Sequence, residues 1–531
     1  MHEAVLQDAG RSEAERASRR RQRVCVIDTG SASYPRTAPY HPSQAYPEYP
    51  FRGALASEPN LAYDAVRRAL AELEYDASRF GSASWNPLGE IIRPGRTVVI
   101  KPNFVLSRHA DGKDLYSIIT HPSVLRAVAD YCWIALEGRG EIIFADAPQY
   151  NCNFAELLGH TGLDTVCRFY DDSPGPKVSY RDLRNYWSNA RHFPSMKEGL
   201  GGDPSGRVRV DLGKVSCLYG KPSVDQLYGA VYNRDETIRN HRDDIQAYEI
   251  SGTILSADVV ISVPKLKVHK KVGVTLNAKG LVGIATNKNM VVHYTLGSPS
   301  EGGDQYPDDL FNPVEKSLIK TERWMYDHFL AANSKTLEFL HRSIYWLHNH
   351  TTRRLGLKVA ERKRLLDAGN WHGNDSAWRM TVDLLRILYF ADREGRIQDN
   401  VQRRLFSFVD GIVGGEGNGP LTPDPKPSAV LLAGENPLAV DLVATRLMGF
   451  DSKKLKVYSQ ALTDPQHNFG VRRMDDIEVV TNRDDWEGCI SDSFSRFLNF
   501  RPHPGWVNQI EVDPCKQEAR NELYRIDCGP R

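Results

Sequence analysis

Apolar and polar positions along the chain follow two alternating rhythms. Short continuous apolar runs recur at 24–27, 97–100, 142–145, 259–263, 405–409 and 429–433. Runs of that length bounded by polar residues predict strands buried on both faces. Helical spacing lies between them. Residues 62–73 carry Val66, Leu70 and Leu73 on one face. Pro122, at a first helical position, opens a helix through Val124, Leu125, Val128, Ala129, Cys132 and Leu136, which Gly138 and Gly140 end. Pro437 opens another through Leu438, Val440, Leu442, Val443 and Leu447. Strand, helix and strand in this order predict an α/β core: a mostly parallel open sheet with helical crossovers, plus a helical insertion.

The same pattern divides the chain. Residues 1–22 read as a flexible arm, 23–300 as the first part of the α/β core, and 301–400 as a mainly helical insertion. Residues 401–470 return to the core and 471–531 form a C-terminal extension. Within 165–250 the chain is more polar, and Val208 and Val210 alternate with Arg207 and Arg209 as in a half-buried strand. Between 34 and 51 five aromatic residues alternate with prolines, which forbid regular structure. That stretch reads as a loop wrapping the surface or as a lid over a site. In the insertion, Leu318, Met325, Phe329, Leu337, Leu340, Ile344 and Leu347 build an apolar stripe. The stripe packs on the core or forms a homodimer contact through 314–349.

Composition narrows the class. The 531 residues carry 68 Lys+Arg against 67 Asp+Glu, so nothing marks a nucleic-acid binder. No apolar run reaches the roughly 18 residues of a transmembrane segment, and the charged N-terminus lacks a signal-peptide core. These features and sparse cysteines predict a cytoplasmic protein. None of the eight cysteines forms a C-x-x-C pair, which argues against a zinc ribbon or a ferredoxin-type cluster. No glycine fingerprint follows the first strand, so NAD and FAD are not expected.

Candidate chemistry collects where predicted strands end: Lys101 and Asn103, Asp146, Lys265 with Lys267 and His269, Asp410, and Glu435 with Asn436. In an open parallel sheet these ends share one edge, where ligands bind. The densest segment, residues 264–271, is followed by Lys279 and Lys288 and by Gly273, Gly280 and Gly283. Lysines are compact cations suited to phosphate or carboxylate; a solvated basic patch is the plainer reading. Thr120 and His121 precede a helix N-terminus, a place that favours anions. There His121 is a general base, an oxyanion donor, a metal ligand or merely a cap. Residues 410–420 form a glycine-rich loop carrying Asp410, Glu416 and Asn418. With Asp146 and Asp441 these oxygens could hold Mg²⁺.

Taken together these segments resemble the DUF362 domain family, whose proteins are uncharacterised. The matching pieces are Val99-Ile100-Lys101-Pro102-Asn103, Thr120-His121-Pro122, Phe144-Ala145-Asp146-Ala147-Pro148, Val263-Pro264-Lys265-Leu266-Lys267-Val268-His269, Lys279-Gly280-Leu281-Val282-Gly283, residues 410–417 and Asn436-Pro437-Leu438-Ala439-Val440-Asp441. Many relatives add a ferredoxin-like cysteine cluster that this chain lacks, so no iron–sulfur role carries over. The resemblance implies no settled reaction.

The leading expectation is an enzyme, of transferase or lyase type, acting on an anionic, phosphorylated or carboxylated small molecule. Lys265, Lys267 and Lys279 neutralise the anion, while Lys101, Asn103 and Thr120 orient it. His121 or His269 transfers protons, and Asp146, Asp410, Glu416 and Asp441 bind a divalent metal or act as base. Either Lys265 or Lys267 should be removable at little cost to folding, because an unpaired cluster repels itself. The alternatives are a non-catalytic binding or scaffold protein of a biosynthetic assembly, and a transition-metal centre built on His121, His269 and His293.

Overall fold

The computed structural model describes residues 20–189, 196–231, 233–357, 359–491, 494 and 496–512. Most of the expected arm, residues 1–19, lies outside them; Arg20 and Arg21 within it pair with Glu90 and Glu435. The α/β core is present. Its strands are β1 (Arg23–Asp28), β2 (Thr97–Pro102), β3 (Glu141–Asp146), β4 (Lys177–Asp182), β5 (Val259–Val263), β6 (Lys265–His269), β7 (Gly273–Val274), β8 (Arg404–Glu416), β9 (Asp424–Gly434) and β10 (Glu478–Thr481). They form one sheet in the order β10-β1-β9-β8-β5-β2-β3-β4, with β6 pairing the second half of β8 and β7 pairing β6. From β8 to β4 every neighbour is parallel. Strand β9 runs antiparallel to both its neighbours.

Side chains alternate across each strand, so the sheet carries two separate cores. Cys25, Ile27, Val98, Ile100, Ile142 and Phe144 face α1 (Leu61–Glu72) and α2 (Pro122–Leu136). Val24, Val26, Val99, Ile143 and Val260 face the opposite side, with helices Ala377–Phe390 and Pro437–Met448. This covering of both faces is why the strands read as unbroken apolar runs. The alternation at Val208 and Val210 belongs to a small antiparallel sheet, where Arg207–Asp211 pairs with Ile245–Ser251.

Three expectations change. Residues 410–416 are not a loop: β8 continues through the glycines to Glu416 and turns back as a hairpin into β9. The glycines let other backbone approach; a Cβ on Gly415 would stand 2.5 Å from the Ser117 carbonyl oxygen. Second, the antiparallel β9 delivers Glu435 and Asn436 to the opposite edge, beside Arg96, Asp258 and Arg404. Third, the C-terminal extension supplies β10, which pairs with β1. In the insertion, Asn312 and Glu315 form a capping box for helix Pro313–Met325, and Lys335–Arg354 runs as a second long helix. No helix among the described residues is long and apolar enough to cross a membrane.

Candidate functional site

A cavity of about 370 Å³ opens at the C-terminal ends of β2, β3 and β6. Lys267, Lys270, Lys271, Lys279, Lys288 and Arg323 line it, with His269 and His293. Asp146 is the single carboxylate among the lining residues. It is already committed: its Oδ1 accepts from Lys101 Nζ at 2.9 Å and its Oδ2 from the Phe104 amide at 2.7 Å. Gly283 makes room for this pair, since a Cβ there would lie 1.8 Å from Asp146 Oδ1. The site therefore gathers five buried or half-buried lysines with no carboxylate paired to them among the described residues, while Arg323 is balanced by Asp367.

The electrostatics follow. Burial pushes the Lys279 and Lys288 amines down to about 7. Lys267 is pushed well below the ordinary lysine value by burial and then by Lys265. Both histidines are held neutral, by burial first and the Lys279 charge next. Their neutral forms differ. His269 Nδ1 accepts the Lys271 amide at 3.0 Å, so its proton sits on Nε2 and that edge donates. His293 Nδ1 lies 2.9 Å from the Val291 carbonyl, which can only accept, so its Nε2 keeps a lone pair. One cavity thus holds a histidine donor and a histidine acceptor. Two further polar atoms, Asn103 Oδ1 and Thr275 Oγ1, are buried without a hydrogen-bond partner among the described residues. Tyr228 and Tyr294, stacked at 5.1 Å, and Tyr326 add an aromatic wall.

Of the residues singled out in the sequence, the cavity gathers Asn103, Asp146, Lys267, His269, Lys279, Lys288 and His293, with Lys101 directly behind Asp146. Others are elsewhere. Lys265, although only two residues from Lys267, is sealed in a second cluster. A register shift between the two lysines separates them. The Lys265 amine lies 2.9 Å from Asp410 Oδ2 and donates to the Tyr34 hydroxyl at 2.8 Å. Tyr34 donates to Asp410 Oδ1 at 2.5 Å, and the His121 amide donates to Oδ2 at 2.9 Å. Both Lys265 and Asp410 are fully buried. Lys265 thus already has its counter-ion within the protein, and removing it would leave a buried carboxylate without its cation.

His121 is a helix cap. Its Nδ1 accepts the Ser123 amide at 3.0 Å and its ring stacks on Tyr34 at 4.1 Å. It lines no part of the cavity, so neither the acid–base role nor a metal site joining it to His269 and His293 fits. Thr120 ties strands together, donating to the Val263 carbonyl at 2.6 Å and accepting the Asn103 amide at 2.9 Å. The loop at 34–51 covers this second cluster and core helices, not the cavity.

The carboxylates considered for Mg²⁺ do not assemble. Asp146 pairs with Lys101, Asp410 with Lys265, and Glu416 with Arg501 and Lys426. Asp441 accepts the Asn277 and Ala278 amides at 2.8 and 2.9 Å, holding the turn that precedes Lys279. No group of three or more His, Cys, Asp or Glu side chains among the described residues is arranged to hold a metal.

Arg323 and Tyr326, which close one side of the cavity, were not legible as site residues. They belong to the insertion, where only helical periodicity was visible. Arg323 pairs with Asp367 at 2.9 Å. Their approach to the lysines depends on how the insertion folds back.

Residues 217–446 match the family model described as Domain of unknown function (DUF362), so the resemblance read from the motifs holds across this stretch. It takes in Lys267, His269, Lys279, Lys288, His293 and Arg323, whereas Lys101, Asn103 and Asp146 precede it. No curated protein matches the chain.

Proposed function

We propose that the protein is an enzyme acting on an anionic small molecule, phosphorylated or carboxylated, bound in the lysine-lined cavity. One observation carries this reading: five lysines, none of them ion-paired among the described residues, converge on a partly enclosed space where the one lining carboxylate is already paired with Lys101. Unlike charges on a solvated surface, these cannot be relieved by water alone. An anion with more than one negative charge relieves them, and each charge-assisted contact is worth about 1.5–3 kcal/mol. Asn103 and Thr275 add neutral polar groups for orientation. His269 as donor and His293 as acceptor supply the proton-transfer pair that lyase or group-transfer chemistry needs.

Thermal denaturation with inorganic phosphate, pyrophosphate and citrate tests the reading. A ligand that binds only the native state raises Tm. At least one anion should raise the wild-type Tm, and Lys267→Met should abolish most of that rise. An equal response in wild type and variant would remove the cavity from anion binding.

A second reading, a binding or scaffold protein, draws on a different surface. Helix Lys335–Arg354 buries Glu338 and His341 but exposes Phe339, Trp346 and Leu347. Such an outward apolar face suits a contact with a partner or a second copy.

A further inference from the structure

The cations of the cavity are not equivalent. Lys267 donates to the Ile118 carbonyl at 2.6 Å and reaches that of Pro420. Lys288 donates to the Val282 carbonyl at 2.6 Å, and Lys271 to the Ala368 carbonyl and Asn370 Oδ1. Arg323 is paired with Asp367. Lys270 is half-buried, within reach of water. Lys279 alone combines near-complete burial, 6% exposed, with an amine that has no hydrogen-bond or ion-pair partner among the described residues.

We propose that the Lys279 amine is a nucleophile that forms an imine with a carbonyl group on the anionic substrate. The proposal rests on the anion-binding reading above and names the substrate class within it: an aldehyde or ketone carrying phosphate or carboxylate. Three features of the structure support it. Burial lowers its pKa to about 7, so a large share of the amine is neutral near neutral pH, at a position where an ammonium finds no acceptor among the described residues. Its backbone is fixed, because the Lys279 amide donates to the Thr275 carbonyl at 3.1 Å while Asp441 grips Asn277 and Ala278. No described residue holds its side-chain end, so it can turn toward a bound carbonyl carbon. This is the arrangement of an activated amine beside other cations in a poorly solvated pocket.

The two histidines complete the step. The Nζ lone pair attacks the carbonyl carbon and the C=O π pair moves onto oxygen, which the His269 Nε2–H stabilises by a hydrogen bond. His293 Nε2 takes one proton from the new N–C centre and returns it to that oxygen, giving a neutral carbinolamine. A further proton, taken up from the solvent's hydronium pool and passed through His293, leaves with the hydroxyl as water while the nitrogen lone pair forms C=N. The product is a protonated imine and one water. Its positive nitrogen draws electrons from the adjacent carbon, whose bond to hydrogen or carboxylate then becomes breakable. The remaining lysines hold the anionic group throughout.

Pyridoxal 5′-phosphate, an aldehyde joined to a phosphate, is a suitable probe. The full-length protein is mixed with one equivalent near pH 7.5 and reduced with borohydride, and the modified lysine is located by peptide mass spectrometry. At that pH an amine with pKa near 7 is neutral about a thousandfold more often than an ordinary lysine. The expected result is labelling at Lys279 at least tenfold above exposed Lys177 and Lys214, suppressed by excess inorganic phosphate. Label spread evenly, or centred on another lysine, overturns the proposal. Thermal shift with phosphate, run without borohydride, separates the two readings: a shift without Lys279 labelling overturns the imine alone, and no shift with any anion overturns the anion site. Lys279→Met should lose the label while unfolding at a temperature close to wild type.

Discussion

Lys265 and Lys267 sit two residues apart on one short strand, and the protein uses them in opposite ways. Lys265 enters a closed cluster in which Asp410, Tyr34 and the His121 amide satisfy every charge. Lys267 enters a cavity lined by four further lysines with no carboxylate paired to them among the described residues, and the one lining carboxylate already has a partner. The first arrangement is complete without any ligand. The second is electrostatically unfinished. A basic run in sequence therefore says little until each lysine is matched with its counter-ion; what distinguishes a site is a charge left unbalanced where water is scarce.

The comparison is broken most directly by removing each lysine. Lys265→Met should destabilise the fold by about 3–5 kcal/mol, because it strands the buried Asp410 carboxylate. Urea denaturation measures this, and unchanged stability would dissolve the distinction. Lys267→Met should cost less, about 1–3 kcal/mol in anion-free buffer, since it strands the Ile118 carbonyl but no carboxylate.

In anion binding the ranking reverses. Calorimetric titration with sulfate should show Lys267→Met weakening affinity about ten- to a hundredfold, the equivalent of one lost charge-assisted contact. Wild-type affinity retained in that variant would place the anion elsewhere.

A smaller effect is expected from pH. Lys279 and Lys288 titrate near 7 in the fold, below the ordinary lysine value of 10.5. Lowering pH from 8.5 to 6 therefore charges both amines, and sulfate, a dianion over this range, should bind about tenfold more tightly at the lower value. Without anion the sign for stability is opposite. Between 7 and 10.5 the unfolded chain binds more protons than the native state, so stability from these two groups rises with pH. Sulfate affinity that is flat from pH 6 to 8.5 would show that neither amine titrates in the cavity.

The smallest effect belongs to the outer helix. Phe339→Ser with Trp346→Ser should shift stability by less than about 0.5 kcal/mol, because both side chains are mostly exposed. Light scattering of this variant also tests the homodimer expectation. A fall in molar mass relative to wild type would establish the helix as the contact, and an unchanged dimeric mass would exclude it. Point changes are preferable to deleting the insertion, which would also remove Arg323 and Tyr326 from the cavity.

Much of the candidate site was legible in the chain. The run ending at Lys267 and His269, the isolated Lys279, and Asn103 and Asp146 after their strands all reach one cavity. The candidates that lie away from it share a common cause. His121, Lys265, Asp410 and Glu416 have the chemistry of site residues, but their partners come from distant segments. Tyr34 reaches Asp410 across 376 positions, and Arg501 reaches Glu416 across 85. Pairing at such separations leaves no mark in local spacing. Glu435 and Asn436 failed for another reason: an apolar run announces a strand but not its direction.

Local physics determined the elements themselves. Apolar runs between polar boundaries became the buried strands, Pro122 and Pro437 opened their helices, and the β-α-β order made the sheet mostly parallel. Those outcomes depend on backbone sterics, helix ends and the burial of neighbouring side chains, all of which act over a few residues. Tertiary structure alone decided which charges are neutralised and which remain. Counter-ions act through space over a few ångströms, and only the folded chain sets those distances. That is why Lys265 became part of the scaffold, why Lys267 and Lys279 remained at a cavity, and why Arg323 joined them from a helix of the insertion.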